Sequence, residues 1–418
     1  MPPPDLDAIA SDPVLVERIV AEIERDGPLT FARFMDRALY DPMGGYYRAE
    51  AARPGREGDF LTAPEAHPIF GAALSRAVAD AWDRLGRPAP FVVREYGAGT
   101  GTLAVALLDG LARERPDLAG TIRYQPVEAE PVRLDAFAAR LTAAGHGAIL
   151  ERSGGTGEPV DAIEGFILAN EVLDALPTHR VVGRAGGLRE VLVGSDGSAF
   201  VDVEAEPTTP ELEARLRADG VSLTDGQRAE ICLALDPWIR GVAGGLRRGM
   251  VLLIDYGYPA KELYDPVRRR DGTLRAYLRH RVHDDPYVHV GRQDLTAHVD
   301  VSAVERAAVA AGLSHLGTTT QAEFLVGLGT ESLLQAIQAD PATTFEGYLA
   351  VRSALLRLLD PGAMGRFRVI GFGRDWPAGP PPAGFGYRLP PRPGQEPEPT
   401  GVGNHPGRPD TPPEDTPE

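Results

Sequence analysis

Residues 91–103, FVVREYGAGTGTL, constrain the fold of this chain more than any other stretch. An apolar run with strand character leads into three alternating glycines, Gly97, Gly99 and Gly101, and a periodic apolar segment follows. Glycines permit positive φ angles and let a ligand approach the backbone closely. A helix that begins after such a turn offers its first N–H groups to an anionic ligand. The pattern therefore predicts a strand–turn–helix unit that holds a nucleotide-like cofactor.

Strand and helix patterns alternate around this turn. Strands are predicted at residues 91–96, 121–128, 148–151, 165–169, 250–255 and 366–372, and helices of the same unit at 101–113 and 131–144. Such alternation is typical of a mostly parallel sheet with helices on both faces, so the predicted fold class is α/β. In sheets of this kind, ligands bind beyond the carboxyl ends of the strands.

The remaining patterns divide the chain into three parts. Residues 1–90 are predicted to form an N-terminal helical segment with a lid loop, and residues 91–375 the core. Insertions are expected in the core at about residues 178–248, where short alternating runs indicate antiparallel strands, and at 271–360. Residues 376–418 are rich in proline, glycine and acids, which predicts a disordered tail. Further helices are predicted at residues 14–25, 28–40, 67–85, 227–244, 302–311, 331–340 and 341–359.

Composition excludes several classes of protein. The net charge of −17 argues against a nucleic-acid scaffold, which needs a basic face. The single cysteine, Cys232, rules out an internal disulfide and a cysteine-based zinc cluster, and we expect it to be buried filler. The sequence contains no apolar run long enough to span a membrane, and its first residues lack the pattern of a secretory signal. These features predict a cytoplasmic protein.

The second predicted strand ends in an acid, Glu128. An acid at this place accepts hydrogen bonds from ribose hydroxyls, although nicotinamide enzymes use the same device. The glycine spacing is G-x-G-x-G, because Thr102 stands where a dinucleotide motif has its last glycine. The spacing therefore counts against a nicotinamide or flavin enzyme.

Polar side chains also follow the fourth predicted strand, within residues 165–177, GFILANEVLDALP. Asn170, Glu171 and Asp174 would emerge at the same edge of the sheet as the glycine turn. These amide and carboxylate groups would be presented to whatever reacts with the bound cofactor. The alternative is that Asn170 caps a short helix. Asp255, which ends the fifth strand, either faces the same crevice or caps the next turn.

The pattern E-x-G-x-G-x-G, with an acid after the next strand, resembles the class I S-adenosylmethionine-dependent methyltransferases. The resemblance narrows to the MidA / NDUFAF7 family through blocks that occur in order over about residues 28–373: GDFLTAPEAHPIFG, EYGAGTGTL, LANEVLDALP, VLLIDYG, LRHRVHDDP and DLTAHVDVSAV. It implies a Rossmann-like class I methyltransferase core with N-terminal helices, an antiparallel β insertion and added C-terminal helices. It also implies S-adenosyl-L-methionine as cofactor and, for the mitochondrial member, symmetric dimethylation of an arginine in a protein subunit.

The resemblance assigns roles to individual residues. Those expected to bind the cofactor are Asp59, Thr62, Glu95, Gly97, Gly99, Gly101 and Glu128. Those expected to act on the substrate are Asn170, Glu171, Asp174 and His283, the last as a proton acceptor. The chain departs from the family where Val172-Leu173 replaces a commonly aromatic pair, a change that would reshape the substrate pocket.

No metal is predicted. His280, His283, His289 and His298 follow one another at spacings that fit no helical ligand pair, and no cysteine is available to help. The expected partner is a protein substrate, without nucleic acid or a membrane span, and a homodimer is left open. Three alternatives remain: a small-molecule N- or O-methyltransferase, an assembly factor that binds the cofactor without turnover, and a nicotinamide oxidoreductase.

Overall fold

A computed structural model of the chain describes residues 9–48, 63–151 and 161–389. The α-helices in these ranges are α1 (Pro13–Asp26), α2 (Phe31–Tyr40), α3 (Ala63–Ala66), α4 (Ile69–Arg84), α5 (Thr102–Glu114), α6 (Pro116–Ala119), α7 (Pro131–Ala143), α8 (Glu211–Ala218), α9 (Leu235–Gly244), α10 (Ala260–Leu263), α11 (Val301–Ala310), α12 (Gln321–Gly327), α13 (Thr330–Ala339) and α14 (Phe345–Leu359). The strands are β1 (Leu29–Thr30), β2 (Phe91–Tyr96), β3 (Ile122–Val127), β4 (Ile163–Asn170), β5 (His179–Arg184), β6 (Gly187–Ser195), β7 (Phe200–Ala205), β8 (Arg228–Ile231), β9 (Leu246–Asp255), β10 (Gly257–Tyr258), β11 (Arg275–Leu278), β12 (Arg281–His283), β13 (Asp294–Thr296), β14 (Val299–Asp300), β15 (Ser314–Thr320) and β16 (Arg368–Arg374).

The central sheet has six strands in the order β15-β16-β9-β4-β2-β3. Strands β3, β2, β4 and β9 pair in parallel, whereas β16 runs antiparallel to both of its neighbours. After β2 the chain places β3 on one side, and it then returns to place β4 on the other. The strand order therefore reverses between β2 and β4, where ligands bind in open α/β sheets. The predicted α/β class is confirmed.

Two apolar cores cover the two faces of this sheet. In β2, Phe91 and Val93 face the core formed by α4 and α5, whereas Val92 faces the core formed by α9 and α11. This alternation follows from the two-residue period of a strand. Helices α4 and α5 approach closely, because a Cβ at Gly71 would lie only 2.6 Å from the Cβ of Ala106.

The strand predicted at residues 148–151 is wrong. The chain forms a short 3-10 helix at Gly147–Ile149, and only Leu150 bridges to Tyr124 of β3. The apolar run there is just three residues long and follows Gly145 and Gly147, so it supplies too little β-branched or alternating sequence to extend a ladder. In the part of the chain that the structure describes, β3 is the edge of the sheet.

The predicted antiparallel insertion is confirmed, and it recruits segments from outside its own range. Strands β5, β6, β7 and β8 form an antiparallel sheet in which β1 pairs with β6 through Leu29↔Val193. The helix predicted at 28–40 therefore begins at Phe31, and the one predicted at 227–244 begins at Leu235, after β8. Pairing along a sheet edge overrides the local helical pattern at both places.

Aromatic packing fixes the N-terminal helices against the insertion. Phe34 of α2 contacts Phe200 with ring centroids 5.3 Å apart, and Tyr287 at 5.4 Å. Beyond α2, the hydroxyl of Tyr40 donates to the carbonyl of Ala175 at 2.9 Å, in the loop after β4. This bond brings residues 40–48 to the carboxyl edge of the central sheet.

Ordered packing continues beyond residue 376, where the sequence places the start of the tail. Phe385 is buried against Phe324, with ring centroids 5.1 Å apart. The described residues up to Tyr387 belong to one compact unit. Within the described ranges, no helix combines the length and apolar character that a membrane crossing requires.

Candidate active site

The glycine turn after β2 has the backbone that its sequence predicts. Gly97, Gly99 and Gly101 have φ angles of +68°, +54° and +85°, in the left-handed region that favours glycine. The N–H of Gly97 donates to the carbonyl of Val127 at 2.9 Å, which ties the turn to the end of β3. Gly101 is the N-cap of α5, which begins at Thr102, and in the described part of the chain no side chain caps the first N–H groups of this helix.

The two motif segments of the sequence touch each other at the point where the strand order reverses. A Cβ at Gly97 would lie 2.6 Å from Cγ2 of Val172, in the loop after β4. A larger residue at position 97 would therefore displace the loop that carries the predicted substrate residues. The cofactor turn and the substrate loop form a single structure.

Glu128 lies at the end of β3, facing the glycine turn. One of its carboxylate oxygens accepts from the N–H of Gly99 and the other from the N–H of Ala129, both at 2.8 Å. Each oxygen retains a further lone pair, so this carboxylate is held in place to accept from two neighbouring hydroxyls.

Glu95 lies beneath the turn and is 3% exposed. Its carboxyl accepts from the hydroxyl of Tyr124 at 2.6 Å. Burial raises the pKa of Glu95 to about 8, and the neighbouring Glu128 adds to the rise. Glu95 is therefore mostly protonated at neutral pH, and its contact with the cofactor stays a prediction.

Asp255 organises the loop that follows β4. Its Oδ2 accepts from the N–H groups of Val172, Leu173 and Asp174 at 3.1, 2.8 and 3.3 Å. Burial raises the pKa of Asp255 well above its usual range, and the charges of Asp174 and Glu171 raise it further. The sequence leaves open that Asp255 caps the turn after its own strand; the structure shows instead that it caps the loop after β4.

Asn170 and Glu171 are linked to each other and to α3. Oε1 of Glu171 accepts from Nδ2 of Asn170 at 3.1 Å and from the N–H of Ala63 at 3.0 Å. Glu171 has a φ of +53°, a strained value for a residue with a side chain. Oδ1 of Asn170 is buried and, among the described residues, accepts no hydrogen bond. As far as the described residues show, Asn170 caps no turn, and its Oδ1 is available to a donor in the crevice.

Asp174 presents a second free acceptor. The hydroxyl of Tyr256 donates to its Oδ2 in a short hydrogen bond, whereas its Oδ1 is buried and has no hydrogen-bond partner in the described part of the chain. Burial raises the pKa of Asp174 to about 6, although the bond from Tyr256 opposes the rise. An unpaired buried carboxylate oxygen costs free energy, so its presence indicates a place for a cationic or N–H-bearing ligand.

Four tyrosines and one further acid surround Asp174, and the sequence patterns do not assign any of them. The hydroxyl of Tyr47 donates to Oδ1 of the buried Asp294 at 3.0 Å, and its ring stacks on that of Tyr40 at 5.4 Å. Burial raises the pKa of each of these tyrosines, and the charge of Asp174 raises it further; they are Tyr40, Tyr47, Tyr256 and Tyr277. The sequence signals for them are the aromatic segment at residues 40–47, YDPMGGYY, for Tyr40 and Tyr47, and the family blocks VLLIDYG and DLTAHVDVSAV for Tyr256 and Asp294.

The structure does not bring His283 to this cluster. His283 pairs with Ala276 of β11, whose side chain faces the core under α1 and α2, and its ring contacts His289 at 5.9 Å. The adjacent Tyr277 faces the opposite side, toward Asp174, because strand side chains alternate. The role expected for His283 therefore lacks support from its position.

Two other expectations are the cofactor role of Asp59 and Thr62 and the lack of a metal site. Asp59 and Thr62 lie outside the described residues. Across residues 9–48, 63–151 and 161–389, no group of three or more histidine, cysteine or acidic side chains has the arrangement of a metal site.

The sheet order, the glycine turn and the acid at the end of β3 define the class of protein: a Rossmann-like methyltransferase. The chain belongs to the Methyltransf_28 family of S-adenosyl-L-methionine-dependent methyltransferases, which matches residues 73–319. Its cofactor is accordingly S-adenosyl-L-methionine, and the positive-φ glycines together with the oriented Glu128 carboxylate fit an adenosyl ligand.

Solved and curated relatives cover most of the chain. A COG1565 superfamily member from Burkholderia thailandensis, crystallised with S-adenosyl-homocysteine, is 36% identical with a TM-score of 0.80, over 90% of this chain and 96% of that one. The Drosophila melanogaster protein named as a mitochondrial protein arginine methyltransferase NDUFAF7 homolog is 30% identical, over 85% of this chain and 84% of that protein. Human NDUFAF7, named as a mitochondrial protein arginine methyltransferase, is 28% identical, over 78% of this chain and 76% of that protein.

The predicted cytoplasmic location is contradicted by the Drosophila melanogaster and human relatives, whose names place them in mitochondria. The prediction rested on the lack of a secretory signal and of a spanning segment. Neither feature distinguishes one internal compartment from another, so composition is not a sound basis for that assignment.

Proposed function

We propose that this chain transfers the methyl group of S-adenosyl-L-methionine to a guanidinium nitrogen of an arginine in a protein partner. The observation that carries the proposal is the buried Oδ1 of Asp174, which has no partner among the described residues and lies where the strand order reverses. The names of the NDUFAF7 relatives support the same acceptor.

The residues of the substrate loop have distinct parts in this proposal. Oδ1 of Asp174 and Oδ1 of Asn170 accept hydrogen bonds from the guanidinium N–H groups, which fixes the plane of the group. Asp255 holds the loop by accepting hydrogen bonds from three backbone N–H groups of that loop. Glu171 joins the loop to α3. Orienting the acceptor nitrogen in line with the methyl group lowers the activation barrier, because the translational and rotational entropy of the two reactants is already lost on binding.

The cofactor, when bound, supplies an electrophilic methyl group on a sulfonium. Glu128 and the glycine turn hold its adenosyl part, whereas a residue on the substrate side accepts the proton that the reaction releases. Methylation of a guanidinium nitrogen releases one proton, and Asp174 is placed to accept it. With a pKa of about 6, Asp174 returns that proton to solvent near neutral pH.

The proposal is tested with the full chain, S-adenosyl-L-methionine labelled in its methyl group, and a protein extract. We expect the label to enter the protein fraction and, after acid hydrolysis, to elute as methylated arginine. Chromatography of the hydrolysate also separates mono-, symmetric and asymmetric forms. The Asp174→Asn variant is expected to lose incorporation, whereas Asp225→Asn, which changes an exposed acid in the loop before β8, keeps it.

Two results would contradict the proposal. Label confined to small molecules would indicate a small-molecule methyltransferase. Tight binding of S-adenosyl-homocysteine without incorporation into any fraction would indicate an assembly factor that uses the cofactor only for stability.

A further inference from the structure

Basic side chains gather beside the acidic pocket of a chain whose net charge is −17. We call this group the arginine cluster, and it consists of Arg269, Arg275, Arg366 and Arg368. It adjoins the side of the pocket formed by Tyr256 and Tyr277. A basic group next to carboxylates that hold a cation is informative, because it would weaken that binding unless it serves another ligand group.

Strand geometry places Arg275 next to the pocket. Arg275 and Tyr277 are two residues apart on β11, so their side chains lie on the same face. Tyr277 pairs with Asp294 and Arg275 pairs with Thr296, both on β13. The side chain of Arg275 thus leaves β11 on the same face as Tyr277, one step along the strand.

The other members reach the pocket through aromatic contacts. Arg366 and Arg368 flank Phe367, whose ring lies 5.3 Å from that of Tyr256, the hydrogen-bond partner of Asp174. Arg269 lies over the ring of Tyr258 at 3.7 Å, and Tyr258 in turn contacts His298 at 5.5 Å. Tyr256 also contacts His298, with ring centroids 5.2 Å apart, so the cluster adjoins the aromatic side chains that surround Asp174.

The positive charges of the arginine cluster are poorly neutralised. Arg366 is exposed and has no ion pair with any described residue, and Nε of Arg368 is buried without a hydrogen-bond partner there. The terminal nitrogen of Arg368 is 4.0 Å from Glu262, and Arg275 is 3.3 Å from Asp284, whose side chain is 81% exposed. Contacts this long or this exposed contribute little, so the cluster retains its attraction for an anion.

The charges of both groups act on Tyr277, and the charges of the arginine cluster alone act on His298. The pKa of Tyr277 is raised by burial and by Asp174, and it is lowered by Arg275 and Arg366. Burial lowers the pKa of His298 to about 3, and Arg269, Arg366 and Arg275 lower it further. His298 is therefore neutral and does not add to the positive charge. An acidic and a basic subsite thus face each other across Tyr277.

We propose that the arginine cluster receives a carboxylate side chain of the protein substrate, so that the enzyme selects arginines with an aspartate or glutamate nearby in the substrate sequence. This inference rests on the proposed arginine methylation. A polyanion such as nucleic acid fits the site less well, because the carboxylates of Asp174 and Asp294 beside the cluster would repel it. Adjacent acidic and basic subsites instead match a substrate segment that carries both charges.

The test uses peptides with one central arginine in which a single flanking position, from four residues before to four after, is Glu, Gln or Lys. Methyl transfer from labelled S-adenosyl-L-methionine is measured with the full chain. We expect a glutamate at one or more positions to lower KM about fivefold relative to glutamine, as one partly exposed ion pair would, with little change in kcat. Lysine at the same position is expected to raise KM.

Charge-swap variants separate a direct contact from a structural effect. Arg366→Gln should abolish the preference for glutamate, and Arg366→Glu should reverse it in favour of lysine. Arg240→Gln, which changes an exposed arginine on α9 outside the cluster, should leave the preference intact. A purely structural role of Arg366 would lower transfer to all peptides equally and would not exchange one preference for the other.

Each outcome decides between the two proposals. Transfer to arginine peptides without any dependence on flanking charge, or a preference that Arg366→Glu does not alter, would overturn the arginine-cluster inference and leave the proposed function standing. Absence of transfer to every arginine peptide by the unmodified chain would overturn both. A preference for a phosphorylated flanking serine over glutamate would show that the cluster selects phosphate rather than carboxylate, which also contradicts the inference.

Discussion

The cofactor side and the acceptor side of this active site are built in different ways. The cofactor side consists of one continuous turn, Gly97 to Gly101, and of one acid at the end of the neighbouring strand, Glu128. The acceptor side draws Tyr47, Asp174 and Asp294 from segments that lie far apart in the chain. The first relies on backbone groups together with the single carboxylate of Glu128, and the second relies on several buried side chains whose charges act on one another.

This difference indicates where each side is vulnerable. Backbone N–H groups and positive-φ glycines hold their positions through local geometry, so most changes elsewhere in the chain leave them intact. Buried carboxylates depend on every neighbour for their charge and orientation. We therefore expect changes on the acceptor side to alter transfer without altering cofactor affinity, and changes on the cofactor side to do the reverse.

The largest effect is expected from Asp174→Asn. The substitution preserves shape but removes the charge opposite a guanidinium, which should lower kcat/KM for the acceptor on the order of 100-fold. The affinity for S-adenosyl-homocysteine, measured by calorimetry, should be unchanged. A matching loss of cofactor affinity would show that the two sides are not separable.

The next prediction concerns pH. Asp174 must be ionised to hold a cation, and burial raises its pKa to about 6, so kcat/KM should increase with pH up to about 6 and level off above it. Below that value we expect a loss of about tenfold per pH unit. Asp174 and Asp255 interact, so the measured profile reports the pair.

Tyr256→Phe sharpens the pH experiment. The bond from Tyr256 lowers the pKa of Asp174, so its removal should shift the rise of the profile to higher pH. Tyr264→Phe removes a buried hydroxyl that donates to the carbonyl of Glu230, and it should leave the profile in place. An unshifted profile in Tyr256→Phe would mean that another group controls the rise.

A smaller effect is expected on the cofactor side from Glu128→Gln. Loss of the charged acceptor should raise the Kd for S-adenosyl-homocysteine about tenfold, the usual size for a hydrogen bond to a charged group. At saturating cofactor, kcat should stay close to that of the unmodified chain. Glu151→Gln serves as the control, because Glu151 is a partly exposed acid whose backbone N–H donates to the carbonyl of Tyr124 on β3. A fall in kcat with an unchanged Kd would place Glu128 on the acceptor side instead.

The smallest effect is expected from Tyr47→Phe. Losing the bond to Asp294 should cost about 1 kcal/mol, or roughly fivefold in kcat/KM for the acceptor, because the carboxylate loses its orientation. Tyr348→Phe on α14 is the matched control. If Tyr47→Phe weakens cofactor binding more than it slows transfer, the boundary drawn between the two sides is misplaced.

Several parts of the fold and site are predictable from the sequence because they are local. The strand at Phe91–Tyr96 has the predicted bounds, and the alternating glycines have the positive φ angles that their spacing implies. The strand predicted at 148–151 fails because a short apolar run does not reveal whether a ladder partner extends alongside it. The helix predicted at 28–40 is wrong at Leu29–Thr30, because a distant strand, β6, pairs with these two residues and the local pattern does not reveal it.

The sequence by itself determined the α/β class, the glycine turn and the polar loop after the fourth predicted strand, whose Val172 lies against Gly97. It was sufficient there because hydrophobic period and glycine conformation depend on neighbouring residues in the chain. Only the tertiary structure decided that Asp255 caps a loop, that His283 faces away, and that Tyr47 and Asp294 join Asp174. Those outcomes depend on burial and on contacts between distant segments, and no spacing rule encodes either of them.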